Sequence, residues 1–238
     1  MREVSFVSGI HRIDARLHPA EGEPRGAIVV AHPHPLHGGN MDHSVVLATC
    51  ERAVAHGLTA LRFDFRGVGQ SEGDRKDFPG HLTDWRKALL DLRERVPEGP
   101  LVGAGFSYGA RSLAWLLHRD DGRRPDVDAV MLLAPATRVP TSRRDFGNLL
   151  LGRPITDAVV DSDVLENMRE LTVPTEVLVG DRDVVAPPDE LAANLPAHAT
   201  LQVLDGLNHF FSVKTGAGPL AKADFTSAVD AALARLLA

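Results

Sequence analysis

Three polar residues carry side chains that can do covalent chemistry together. Ser107 stands between Gly105 and Gly109, with an apolar run before it and an amphipathic stretch after it. A strand that turns abruptly into a helix holds its corner residue under strain, and side chains two positions before and after would strike the backbone. Both of those positions are glycine. Such a corner lifts the serine hydroxyl clear of the sheet, beside the helix N-terminus with its free N–H groups. The ordinary alternative is a helix-capping serine after a strand, and the pentapeptide alone does not separate the two. A nucleophilic serine needs a base, and the base needs an orienter. Gly180-Asp181-Arg182-Asp183 closes an apolar run and supplies carboxylates. Asn208-His209-Phe210 follows the last apolar run and supplies an imidazole. The chain order Ser, Asp, His is the one that the strand–turn–helix context predicts.

Two rival chemistries can be weighed from the same residues. Gly103, Gly105 and Gly109 resemble a dinucleotide-binding glycine pattern. That fingerprint opens a first βα unit and needs an acidic residue at the end of the following strand. Here four predicted strands precede it, and the next strand ends in Leu133-Ala134-Pro135. His32, His34, His37 and His43 crowd one segment, but they form no complete metal-ligand motif, and the interleaved prolines and glycines suit a rigid turn. No cofactor and no metal is implied. Acyl transfer develops charge on a carbonyl oxygen, which two backbone N–H groups should meet. One is expected from Tyr108, the residue after the serine. The other is expected from the 32–41 loop, where Pro33 and Pro35 have no N–H. His34 is the first choice and Leu36 the second.

The elements that must hold these residues are legible as short apolar runs bounded by Gly, Pro and Asp. Residues 3–8 and 11–18 read as an antiparallel hairpin around Gly9. Strands follow at 26–31, 58–65, 100–106, 128–134, 175–180 and 199–204. Helices are expected at 42–56, 81–96, 107–119, about 188–195 and 218–237. Near-continuous apolar strands alternating with helices predict an α/β fold: a mostly parallel eight-stranded sheet with helices on both faces. Residues 135–173, after strand 6, are too long for a simple connection. They carry Arg138, Arg143, Arg144 and Arg153 around the apolar Leu149–Leu151, and read as a short insertion, either a lid or a solvated excursion.

Further motifs make the likeness specific. Asp64-Phe65-Arg66-Gly67-Val68-Gly69-Gln70-Ser71 resembles the D-x-R-G-x-G-x-S turn of the α/β-hydrolase superfamily. Gly180-x-x-Asp183 and Pro187 resemble its acid loop. The run from His32 to Met41 resembles the H-P-H-P-x-x-G-G-x-M loop of small bacterial serine hydrolases near the dienelactone-hydrolase-like branch. The likeness runs nearly end to end and implies the α/β-hydrolase fold. It favours Asp183 over Asp181 as the acid, and it implies a metal-free serine hydrolase with Ser107 as nucleophile and His209 as base. Asp64 and Arg66 are expected to hold a turn, and Cys50 to be a plain helix thiol. The Tyr108 ring is expected to line a pocket, and Phe210 and Phe211 to form an apolar wall or pack in the core.

Length and charge narrow the function. A chain of 238 residues suits one α/β domain with the insertion at about 135–173. A net charge of −6 with no basic block disfavours nucleic acid. The single cysteine, the absence of a signal-peptide core and the absence of a membrane-length apolar run predict a cytoplasmic protein. The expected partner is a small-molecule acyl substrate, an ester or thioester of small to medium size. Nothing suggests peptide recognition. Acyl transfer on the same fold and a non-catalytic binding protein are the alternatives, and the complete Ser107, Asp183 and His209 set argues against the latter. A dehalogenase of this fold would need a carboxylate at position 107.

Overall fold

A computed structural model describes residues 1–118, 125–140, 142–150, 158–214 and 218–238. The hairpin forms from β1 (Arg2–Ser8) and β2 (His11–His18), paired antiparallel, and Gly9 turns between them at φ 64°. The alternation then runs β3 (Gly26–Ala31), α1 (Ser44–Ala55), β4 (Leu58–Phe63), α2 (Phe78–Arg95), β5 (Leu101–Phe106), α3 (Tyr108–His118) and β6 (Ala129–Leu133). The insertion contributes β7 (Arg138–Pro140), α4 (Arg143–Leu150), β8 (Ala158–Val160) and α5 (Ser162–Arg169). The chain closes with β9 (Thr175–Gly180), α6 (Pro188–Asn194), β10 (Thr200–Leu204) and α7 (Lys222–Leu236).

Eight strands make one sheet in the order β1-β2-β4-β3-β5-β6-β9-β10. Strands β3, β4, β5, β6, β9 and β10 run parallel, while β2 pairs antiparallel with β4. Every residue of β3, β4, β5, β6 and β9 is buried, as a parallel sheet covered on both faces requires. Helices α1 and α7 pack on one face and α2, α3, α5 and α6 on the other, each over its own apolar cluster. The chain leaves β3 for β4 on one side, then crosses to β5 on the other. That reversal opens a crevice at the strand carboxyl ends. The 32–43 loop and Ser107 both sit there.

Element boundaries move where side chains compete with the backbone. Strand β4 ends at Phe63, not 65, because the Phe65 N–H donates to the His32 ring (3.1 Å) instead of to a strand neighbour. Helix α2 starts at Phe78, not 81. The Asp77 carboxylate accepts the Gly80 N–H at 3.0 Å, and Pro79 suits the first turn. The insertion is ordered into β7 and β8, an antiparallel pair, with α4 and α5. Arg153 and Leu151 of that segment lie outside the described residues, as does the last residue of the helix expected at 107–119. Among the described residues no helix is long and apolar enough to cross a membrane.

Candidate active site

Ser107 occupies the corner between β5 and α3 at φ 54°, a left-handed conformation that side chains rarely adopt. The steric argument for its glycines holds in detail. A Cβ on Gly105 would stand 2.4 Å from the Gly109 carbonyl carbon, and one on Gly109 would stand 2.6 Å from the Ala31 oxygen. The corner is anchored by the Ser107 N–H, which donates to the Leu133 carbonyl at 2.8 Å.

The structure brings Ser107, His209 and Asp183 together across 102 and 26 positions of sequence. His209 Nε2 lies 2.9 Å from Ser107 Oγ, and its Nδ1 lies 2.8 Å from Asp183 Oδ2. Asp183 is 3 % exposed and His209 4 %. The other Asp183 oxygen accepts the N–H groups of Val185 and Ala186 at 2.8 and 2.9 Å, so the carboxylate is held at both ends. Asp181, the other acid of the loop, is exposed, and its backbone N–H donates to Leu204. Gly180 permits the approach of the histidine loop: a Cβ there would stand 2.1 Å from the Leu207 oxygen. Asn208 folds that loop. Its Oδ1 accepts from the N–H groups of Phe210 and Ser212, and its Nδ2 donates to the Lys214 carbonyl at 2.8 Å.

The 32–43 loop faces this site. The ring of His34 packs 4.6 Å from that of Tyr108, so the two residues expected to supply N–H groups are neighbours. Among the described residues neither backbone N–H donates a hydrogen bond to another backbone group. Leu36, the second choice, differs from His34. Its N–H donates to His34 Nδ1 at 3.2 Å, so it is already engaged. The crowded histidines brace the backbone. His32 Nε2 accepts from Phe65, His34 Nδ1 from Leu36 and His43 Nδ1 from Val45, where it caps α1. A ring nitrogen that accepts a backbone N–H has no lone pair left for a cation. Burial pushes His32 and His34 down to about 3 and His43 down to about 4, so these rings are neutral. Among the described residues no group of three or more ligands is placed to hold a metal ion.

The turn after β4 ties the site together. Asp64 accepts the Met41 N–H at 2.7 Å and so fastens the end of the 32–43 loop. Arg66 forks onto Asp84 and reaches Asp77, clamping α2. Both hold structure, as expected. Cys50 is buried on α1, where burial pushes its thiol up to about 12. Phe211 lies in the core against Phe106 and Phe225, while half-buried Phe210 stands edge-on to the His209 ring at 5.5 Å.

A cavity of about 660 Å³ opens at Ser107 and His209. Tyr108 lines it, and so do Arg138, Val139, Val160 and Asp161 of the insertion. Sequence reading missed two further residues of this wall, His81 and Arg111. His81 sits on α2 with no motif around it, whereas Arg111 lies one helical turn after Ser107, its N–H donating to the Ser107 carbonyl at 3.0 Å, a spacing that could have placed it at the site. Only the fold brings His81 to the serine.

Residues 22–161, more than half of the chain, match the family described as serine aminopeptidase, S33 (Hydrolase_4). The chain belongs to this family. Among curated proteins, an uncharacterized protein of Rickettsia prowazekii is 28% identical over 225 residues, covering 90% of this chain and 84% of that one. The mitochondrial palmitoyl-protein thioesterase ABHD10 of Bos taurus is 29% identical over 146 residues. That match covers 61% of this chain and 44% of the thioesterase, so less than half of the relative is spanned. An α/β serine hydrolase homologue from Coxiella burnetii superposes with a TM-score of 0.74 at 22% identity, covering 98% of this chain and 97% of that one. The fold is that of the α/β-hydrolase superfamily, and this Hydrolase_4 member is a hydrolase by family.

Proposed function

We propose that this Hydrolase_4 protein is a serine esterase or thioesterase acting on small to medium acyl groups through an acyl-enzyme. The observation that carries the reading is the contact chain Asp183–His209–Ser107, 2.8 Å and then 2.9 Å, at a cavity mouth. The Ser107 hydroxyl attacks the acyl carbonyl as His209 Nε2 takes its proton. Asp183 holds Nδ1–H and stabilises the imidazolium. The N–H groups of Tyr108 and His34 meet the oxyanion. His209 then returns the proton to the departing alcohol or thiol. Water, deprotonated by the same imidazole, releases the acid and restores Ser107.

The cavity size suits such a group. The palmitoyl-protein thioesterase relative supports an acyl thioester or ester. The family description names an aminopeptidase, which must hold a substrate ammonium. In this cavity Arg111 pairs with Asp161 and Arg138 with Glu190, which leaves Arg75 and Lys76 against the single carboxylate of Asp163. That balance repels an ammonium group.

Steady-state turnover of acyl esters and thioesters of graded chain length tests the reading. Ser107→Ala is expected to cut kcat by about 10⁴–10⁶-fold with the melting temperature retained. Undiminished turnover in that variant refutes it.

A further inference from the structure

His81 is a polar side chain in an aromatic setting. It is buried on α2, 2 % exposed, and burial pushes it down to about 4, so the ring is neutral. Its ring makes one hydrogen bond among the described residues, between Nδ1 and the Tyr108 hydroxyl at 2.5 Å, and its Nε2 has no partner there. Burial also keeps the Tyr108 phenol protonated. The hydroxyl therefore donates, Nδ1 accepts and the ring hydrogen sits on Nε2. The imidazole packs against the rings of Phe65, 5.0 Å between centres, and Tyr108, 5.6 Å. A phenylalanine would suit those neighbours without leaving a buried nitrogen unmet. What the imidazole adds is its bond to Tyr108.

That bond reaches the oxyanion hole through one ring. The two N–H groups proposed to meet the oxyanion belong to Tyr108 and His34. The Tyr108 backbone is fixed by the corner itself, where the Ser107 N–H donates to Leu133 and Gly109 lies against the backbone of Ala31 and His32. His34 is on a loop. The loop is tied at His32 by the Phe65 N–H and at Met41 by Asp64, but residues 36–38 between them are exposed. There the His34 ring rests on the Tyr108 ring, 4.6 Å between centres, and accepts the Leu36 N–H on its Nδ1. The Tyr108 ring is the surface that stops the loop. It lines the cavity, with Phe65 and Phe78 meeting it edge-on elsewhere, so it has open space into which to turn. The ring torsion of a tyrosine is intrinsically broad. The bond from its hydroxyl to His81 sets the angle.

Resting on the proposed hydrolase reading, we propose that His81 is a positioning residue for the oxyanion hole: through the Tyr108 hydroxyl it fixes the ring on which the His34 loop is set, and with it the spacing of the two N–H groups. His81 is itself held from behind. Its backbone N–H donates to the Asp77 carbonyl at 3.0 Å, and Arg66 clamps Asp77 and Asp84 of the same stretch. The oxyanion exists only once the carbonyl has been attacked. A donor out of place therefore weakens binding of the transition state and leaves that of the substrate nearly unchanged.

Hydrolysis of p-nitrophenyl butyrate and inhibition by butyl trifluoromethyl ketone test this together. The ketone carbonyl carbon bonds to Ser107 Oγ, the hydroxyl proton passes to His209, and the carbonyl pair becomes an oxyanion in the same hole. His81→Phe is expected to lower kcat about tenfold, with KM within about threefold and the melting temperature retained. The ketone inhibition constant should rise by the factor by which kcat/KM falls. Tyr108→Phe keeps the ring and the backbone N–H but loses the hydroxyl, so it should match His81→Phe, and the double variant should lose no more than either. His81→Asn, whose amide oxygen stands about where Nδ1 does, should recover most of the rate. Tyr108→Phe in the wild-type and His81→Asn backgrounds carries the test if His81→Phe does not fold. An unchanged kcat in Tyr108→Phe and in any folded His81→Phe overturns the positioning role, and so does a rise in KM with kcat and ketone affinity kept. Undiminished turnover in Ser107→Ala marks a different failure, that of the hydrolase reading, and the positioning role falls with it.

Discussion

Asp181 and Asp183 show how two residues of one type, two positions apart, acquire different roles. Asp183 is buried, with one oxygen on two backbone N–H groups and the other on His209, while Asp181 stands in solvent. Asp183→Asn is therefore expected to lower kcat by up to about 10⁴-fold, because the amide no longer favours the required imidazole tautomer. Asp181→Asn should leave kcat within about threefold, as surface changes usually do. Both are read from steady-state rates with melting temperatures alongside, and a larger loss at position 181 contradicts the assignment. Ser107, Asp183 and His209 were legible because each follows the carboxyl end of a strand and the superfamily spacing is local. The choice between His34 and Leu36 was not. What bears on it is where one imidazole nitrogen points: the His34 ring accepts the Leu36 N–H, a contact with no sequence signature. His81 was illegible because a single polar residue on an amphipathic helix leaves no periodic signal, whereas Arg111, one turn after Ser107, could have been placed beside it.

Among the elements, the parallel strands were readable nearly to the residue because burial on both faces makes them continuously apolar. Ends were less so where imidazoles do the work of capping and bonding, as His43 does for α1 and His32 does past β4. The insertion read only as a lid or a solvated excursion, with no elements assigned, because β7 and β8 are three residues each and α5 only eight, too short for periodicity to register. The histidine loop is the element on which the chemistry leans. Asn208 makes the bonds that fold it, two accepted and one donated. Asn208→Ala is expected to lower kcat by about 10²-fold through misplacement of His209, with KM moved far less. Asn208→Asp keeps the acceptor oxygen and should recover most of the loss. If neither variant changes kcat, the loop does not depend on this side chain.

At the scale of the molecule, burying neutral histidines couples folding to pH. His32 is fully buried, its Nε2 accepting from Phe65 and its Nδ1–H donating to Pro33, and it is pushed down to about 3. The unfolded chain binds a proton there below about 6.5, and the folded chain does not. Its contribution is complete above that pH and is lost as pH falls towards 3, at about 1.4 kcal/mol per pH unit. Asp64, pushed up to about 6 by burial, acts in the opposite sense. Between about 4 and 6 its folded form holds more protons than the unfolded chain, so its contribution falls as pH rises. His32→Gln separates the two. In urea titrations between pH 4 and 6 it should flatten the rise of stability with pH by about 1.4 kcal/mol per unit. An unchanged slope would mean that His32 is not held neutral.

The most direct test is covalent. A fluorophosphonate reacts with a serine whose proton an adjacent base removes, and peptide mass spectrometry locates the adduct. Ser107 activated by His209 predicts one adduct, on the peptide containing Ser107, absent in Ser107→Ala and slowed by orders of magnitude in His209→Ala. An adduct on any other serine, or turnover of acyl esters that persists after Ser107 is fully labelled, would contradict it.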